Sequence, residues 1–253
     1  MRPQPSWLIP DDVDYQEVEL GRLKSGKEAE VFVVERSYAG RTCLLAHKRY
    51  RPRRVSAKGE LAGLGFERAN SFMNDLAYRD GRRFAKSRDQ RAVDRMTGYG
   101  KTLLTRRWTG HELDIMQRAW NAGVPVPYPV GSRGDGLLMQ YVGDHAQAAP
   151  RLAQARLGGD ALGSAWEQLV DGLRALVGAG FVHADLSAYN VLWWDSQVWL
   201  IDFPQAVDIT VNPHALDFLH RDVANVGRWF AARHFAVDVD ALYGELVSLA
   251  CSL

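Results

Sequence analysis

The sequence predicts an α+β fold in two lobes, a small β-rich N-terminal lobe followed by a mostly helical C-terminal lobe. Three observations predict it. Apolar β-formers cluster in the first third, at Val31 to Val34 and Cys43 to His47. The longest helical periodicity falls later, over Asp160 to Gly178, where Leu162, Trp166, Leu169, Val170, Leu173, Leu176 and Val177 repeat at i, i+4, i+7 and i+8 spacing. Between them, Leu137 to Val142 is an apolar strand that runs into Gly143. A chain of 253 residues that is 47% hydrophobic can bury one core or two small ones.

Taken in order, residues 1–20 are rich in Pro and acid and read as a lead-in. The run Gly21-Arg-Leu-Lys-Ser-Gly-Lys-Glu-Ala-Glu-Val-Phe-Val-Val34 reads as strand, turn and strand. The next strand ends at Lys48. From Arg49 to Arg107 the chain is polar, basic and glycine-containing, which predicts a short helix and then a flexible insertion near 79–107. Trp108 to Ala122 is expected to be helical, with Gly123 as cap and Pro125 as stop. The N-terminal lobe is thus placed at 21–142 and the C-terminal lobe at 143–253. In the latter, Phe181 to His183 is a strand, and Val191–Trp194 with Val198–Ile201 forms a hairpin about Asp195-Ser196. Two helices close the chain, one opened by Asn212 and Pro213, the other over Val239 to Leu249.

Charge is nearly balanced overall, 31 Lys and Arg against 30 Asp and Glu. Between Arg79 and Arg107, however, eight Arg and two Lys face three Asp. Such density calls for solvent or an anionic partner. Cys43 and Cys251 lie far apart and outside any Cys-x-x-Cys pair, so neither zinc nor a disulfide is signalled. The absence of a long apolar run or a leader-like start predicts no membrane attachment and a reducing, cytoplasmic location.

The chemistry is concentrated in His183-Ala-Asp185-Leu-Ser-Ala-Tyr-Asn190, followed by the hairpin and by Ile201-Asp202-Phe203. This spacing lets a loop aim Asp185 at an acceptor hydroxyl and turn Asn190 toward a cation. The hairpin returns Asp202 to the same cation. Phosphoryl transfer needs such an oriented hydroxyl and cations on the phosphates. Two oxygen ligands plus phosphates suit Mg²⁺, which Mn²⁺ can replace. The reading is therefore an ATP- and magnesium-dependent phosphotransferase. Asp185 and Asp202 are its catalytic residues, with Asn190 and Asp202 as metal ligands. Lys48, at a strand end, is the candidate for the ATP phosphates, with Glu112 as its ion-pair partner. Ser25 and Lys27 sit where a phosphate-covering turn belongs, although no Walker sequence is present. Met139 and Tyr141, at the exit of an apolar strand, are placed against adenine. His183 is expected to brace the loop, not to move protons.

At these residues the sequence resembles the RIO atypical serine protein kinases. The likeness lies in Ser25-Gly-Lys-Glu-Ala-Glu-Val31, Ala46-His-Lys48, Ala122-Gly-Val-Pro-Val-Pro127, His183 to Asn190, Ile201-Asp-Phe-Pro-Gln205 and His214 to Val226. The resemblance implies a trimmed protein-kinase-like fold with no activation segment, because Phe203-Pro204 follows Asp202. It implies serine phosphorylation, often of the protein itself, or ATP hydrolysis in ribosome maturation. It implies an RNA or a ribosomal particle as the anionic partner of the basic stretch 79–107. It also makes Asp202 a candidate for a transient aspartyl-phosphate. Two other readings stay open. A small-molecule kinase resembling aminoglycoside or choline phosphotransferases shares the same spacing but needs more helical mass after Asp202. A non-catalytic RNA-binding relative would use the basic stretch alone.

Overall fold

The computed structural model describes residues 2–26, 29–51, 88, 91, 95, 97–134 and 136–253, with no side chain described for 98–102 and 104–108. Lys27 and most of the basic stretch 79–107 lie outside the described residues. The fold is mixed α+β. Its Cα positions group into two compact units, one holding residues 4–113 and 129–141, the other residues 1–3, 114–128 and 142–253.

The first unit is built on a five-stranded antiparallel sheet. Its strands are β1 (Gln16–Ser25), β2 (Ala29–Tyr38), β3 (Arg41–Tyr50), β4 (Pro129–Arg133) and β5 (Gly136–Gln140), in the order β1-β2-β3-β5-β4. β1 starts inside the expected lead-in, because Glu17, Val18, Glu19 and Leu20 alternate as a strand does. β4 was not expected. Pro129 and Gly131 read as turn residues, and the structure accommodates them with a register shift between the two. Lys48 lies in the interior of β3, opposite Val31 of β2 and Leu137 of β5. Gly136 is needed there, since a Cβ would come within 2.4 Å of the Lys48 carbonyl oxygen. The chain ahead of β1 is latched to the sheet by Arg36, which is 1% exposed. Its guanidinium donates to Glu17 at 2.9 Å, to Asp11 at 2.7 Å and to the Ile9 carbonyl at 2.8 Å. It also stacks 4.0 Å from the Tyr15 ring centre.

Helix α1 (Gly98–Asn121) begins earlier than the expected Trp108. Gly98 and Gly100 argue locally against a helix. No proline interrupts the run, and extending a formed helix needs little free energy per residue.

The second unit contains α2 (Gly159–Gly178), β6 (Phe181–Val182), β7 (Val191–Trp194), β8 (Gln197–Leu200), β9 (Val207–Asp208), α3 (Ala215–Ala231) and α4 (Val239–Ala250). β6 pairs with β9 and β7 with β8, both antiparallel. α2 buries Leu162, Leu169, Val170, Leu173, Leu176 and Val177, as its periodicity predicts. Pro213 precedes α3 without entering it. The Asn212 side chain instead accepts the His214 N–H at 2.8 Å, an Asx turn that leads into the helix. α4 is capped by Asp238, which accepts the Ala241 N–H at 2.9 Å.

α3 and the start of α4 meet at Gly227, where an added Cβ would stand 2.4 Å from Val239 Cγ2. Valine has little rotamer freedom to retreat. We expect Gly227→Ala to lower stability by about 1–3 kcal/mol, read as a lower urea midpoint at unchanged slope. An unchanged midpoint would mean that Val239 moves aside freely.

Candidate active site

In the first unit the structure brings Lys48 and Glu112 together. Lys48 Nζ donates to Glu112 Oε1 at 2.8 Å and Oε2 at 3.1 Å. The Lys48 and Glu112 side chains are 9% and 1% exposed. Strand β3 presents the lysine and helix α1 the glutamate. The ammonium also lies 5.3 Å from the Tyr50 ring centre. A buried ion pair of this kind gives little net stability over an apolar pair, but loss of one partner strands the other charge. Ser25 takes a different position. Its exposed hydroxyl accepts from Arg51 at 2.7 Å, within a cluster of Arg51, Arg22 and Glu30. Hydrogen bonds from Arg51 and then Arg22 hold the Glu30 carboxyl below its usual pKa. Gly26 N–H donates to the Ala29 carbonyl at 2.9 Å. Met139 pairs with Ala46 of β3, and the Tyr141 amide donates to the Leu44 carbonyl at 3.3 Å. That donor of Tyr141 is therefore engaged inside the sheet.

In the second unit, the loop between β6 and β7 carries Asp185 and Asn190. His183 is 1% exposed and bonds the Ile201 carbonyl through Nε2 at 3.1 Å. Its ring lies 4.7 Å from that of Phe203. Burial pushes its pKa down, so it is a neutral donor that ties the loop to the chain before Asp202. Asn190 performs a second tie. Its amide nitrogen donates to the Asp185 carbonyl at 2.8 Å and to Asp185 Oδ2 at 3.3 Å. Its own carbonyl accepts the Ile201 N–H at 3.0 Å. With Nδ2 committed to Asp185, Oδ1 is the atom Asn190 can offer a cation.

Two residues here adopt left-handed backbone, Ala184 at φ 62° and Asp202 at φ 73°. Aspartate tolerates this conformation better than alanine. The strain at Ala184, of order 1–3 kcal/mol, is held by α3. Asp222 Oδ2 accepts the Ala184 N–H at 2.7 Å, and Oδ1 accepts the Leu186 N–H at 2.9 Å. Arg221 donates to the Ala184 carbonyl, and Asn225 donates to the Leu186 carbonyl at 3.2 Å. The residues on both sides of Asp185 are thus clamped at N–H and C=O by one turn of helix. Sequence reasoning assigned no role to Arg221, Asp222 or Asn225. The legible signal was an acid on the buried stripe of α3, in step with Ala215, Leu219, Val226 and Phe230.

The oxygen donors of Asn190 and Asp202 fit a hard divalent cation. Among the described residues no group of three or more His, Cys, Asp or Glu side chains could hold a metal. A cation here would complete its shell with water or phosphate oxygens, a set that suits magnesium better than zinc.

Asp222 is 0% exposed, and burial raises its pKa to about 7, against the two N–H bonds that lower it. A folded pKa above the unfolded one means that the group's stabilising contribution is complete near pH 4. It declines as pH rises toward 7. The stability difference between wild type and Asp222→Asn should therefore change across pH 4–7 and level off above it, as followed by thermal unfolding. Asp222→Ala leaves two buried N–H groups unpaired, at about 1–3 kcal/mol each. A pH-independent difference for Asp222→Asn would overturn the assigned titration.

A family model described as the RIO domain matches residues 71–242. The serine/threonine-protein kinase RIO3 of Homo sapiens is 35% identical over 159 residues, 62% of this chain and 30% of that protein. The RIO-type serine/threonine-protein kinase Rio1 of Haloferax volcanii is 36% identical over 146 residues, 58% of this chain and 49% of that one. A probable RIO1 homologue of Encephalitozoon cuniculi is 27% identical over 218 residues, 86% of this chain and 54% of its own length. The chain spans about a third to a half of these relatives. With more than half of its length matched by the domain model, the chain belongs to the RIO family, whose domain has a protein-kinase-like fold.

Proposed function

We propose that this protein is an ATP- and magnesium-dependent serine protein kinase that modifies itself or another protein, or turns ATP over in a conformational cycle. The observation that carries the reading is the clamped Asp185, its neighbours Ala184 and Leu186 fixed by Asp222 and its carboxylate met by Asn190. That is the arrangement a general base needs to meet a hydroxyl in a single pose. In this reading Asp185 orients the serine hydroxyl and takes its proton as oxygen bonds to the γ-phosphorus, and ADP leaves. Asn190 and Asp202 would hold magnesium, which supplies charge neutralisation on the phosphates. Asp202 is also the carboxylate that would accept phosphate in an aspartyl-phosphate route. Lys48 would contact the phosphates, oriented by Glu112. Ser25 and Lys27 would border the phosphates, and Met139 and Tyr141 the adenine.

Residues 21–142 are read as the N-lobe and residues 143–253 as the C-lobe of a trimmed kinase fold that lacks an activation segment, although 114–128 group with the second compact unit. The basic stretch 79–107 would meet RNA, a ribosomal particle or the autophosphorylation target. A cytoplasmic location fits the two free thiols, Cys43 and Cys251. Among the described residues, no helix is long and apolar enough to cross a membrane.

Incubation with γ-labelled ATP and Mg²⁺ should label the wild-type chain or release phosphate. Asp185→Ala should lower that rate by about 10²–10⁴-fold with an unchanged melting temperature. Wild-type turnover in the variant would remove Asp185 from the chemistry. Transfer only to added aminoglycoside or choline would favour the small-molecule reading.

A second test separates structure from chemistry at the buried ion pair. Lys48→Met alone should lose about 3–5 kcal/mol, because it breaks a buried ion pair while Glu112 stays in place. Lys48→Met with Glu112→Leu should recover most of that stability while phosphoryl transfer stays absent. If the double variant regains transfer, Lys48 has no phosphate role.

A further inference from the structure

The exposed large apolar side chains described in the second unit are the terminal Leu253 and Tyr189, the latter 60% exposed. Tyr189 lies between Ala188 and Asn190 on the loop that carries Asp185. Among the described residues, neither its ring nor its hydroxyl has a partner. The loop beneath it is fixed: Asn190 N–H donates to the Ser187 carbonyl at 2.8 Å, and Ala153 N–H to the Ala188 carbonyl at 2.9 Å. An aromatic ring on a hydrogen-bonded loop four residues from the catalytic aspartate, without a partner among the described residues, is a contact available to another molecule.

The Ala153 bond brings a second segment alongside. Within the segment 150–156, residues 151–153 run beside the loop and the start of β7, through Ala153 N–H to the Ala188 carbonyl, Leu152 N–H to the Val191 carbonyl at 2.8 Å, and a bridge between Arg151 and Leu192. This segment, Pro-Arg-Leu-Ala-Gln-Ala-Arg, carries two arginines and no acid. Arg151 is half-buried and Arg156 exposed. Neither has a carboxylate partner among the described residues. Other arginines of this unit are held within the fold, Arg174 by Glu245 and Asp171, and Arg221 by Ala184.

We propose that Tyr189, Arg151 and Arg156 form the acceptor-docking surface of this enzyme, and that the acceptor is an acidic protein segment. Its serine would lie at Asp185, with flanking carboxylates on the two guanidiniums and its backbone or an apolar side chain against the Tyr189 ring. The inference deepens the kinase reading and rests on it. Guanidinium groups match carboxylates in shape and charge. Two arginines on the segment that borders the Tyr189 loop suit a few acidic side chains around a serine. A nucleic acid would call for a longer basic track with repeated stacking platforms.

The test compares two fluorescent serine peptides of equal length, one flanked by Asp and Glu, the other by Lys and Arg, by anisotropy at low salt. Two solvent-exposed pairs correspond to about a threefold to thirtyfold preference for the acidic peptide. Arg151→Glu with Arg156→Glu should invert that preference, and Tyr189→Ala should weaken the acidic peptide several-fold while Tyr189→Phe preserves it. ATP hydrolysis without peptide and the melting temperature report that the variants are folded. Equal binding of both peptides, or a preference unchanged by the double reversal, overturns the proposal. So does a single-stranded oligonucleotide of equal charge that binds more tightly than the acidic peptide and loses affinity on reversal. Binding needs no phosphoryl transfer. An acidic peptide that binds as expected but is never phosphorylated would therefore overturn the kinase reading and leave the acidic-peptide surface standing.

Discussion

The carboxylate of Asp222 is buried beneath the loop that carries Asp185, and it accepts the N–H groups of Ala184 and Leu186. Those two bonds let a non-glycine residue keep a left-handed backbone, and the turn they stabilise projects Asp185. Arg221 and Asn225 hold the matching carbonyls. Helix α3 is in turn fixed by its own apolar stripe, with Phe230 edge-on to Trp166 of α2 at 5.0 Å. The chain of dependence runs from hydrophobic packing, through one turn of helix, to a loop conformation, and ends at the direction of a single carboxylate.

A second chain of dependence exists in the sheet unit. Lys48 is set by strand register, its neighbours in β2 and β5 leaving the side chain one course, toward Glu112. The pair is too buried to be a surface ornament and too weakly stabilising to be explained by stability alone. Burial at both ends holds the ammonium of Lys48 in one place, against Glu112.

Much of this was readable in the sequence. The α+β class, the amphipathic α2 and the hairpin at β7 and β8 follow from periodicity, because buried faces repeat every 3.6 or every two residues. The grouping of Asp185 with Asn190 was readable too, since both lie in one short loop. Other features were not. β4 was hidden because Pro129 and Gly131 obey turn rules, while the structure absorbs both in a shifted register. The early start of α1 was hidden because its glycines and its lack of first-turn acid oppose a helix locally. The pairing of Lys48 with Glu112, 64 positions apart, was by contrast expected from the kinase-like pattern as a whole, and the structure brings the two within 2.8 Å although no local periodicity encodes it. Asp222 was visible as an acid out of place on an apolar face. What it binds is backbone, and backbone partners leave no trace in residue identity.

The latch at Arg36 bears on how the domain tolerates being shortened. The guanidinium collects Asp11, Glu17 and the Ile9 carbonyl from a stretch that contributes only part of one strand to the sheet. Leu8 and Ile9 are themselves buried. Removal of residues 8–15 would take the Ile9 and Asp11 partners from Arg36 and leave Glu17 as its counter-charge. The shortest stable form of this domain is set by the partners that Arg36 recruits at Ile9 and Asp11, ahead of the first strand.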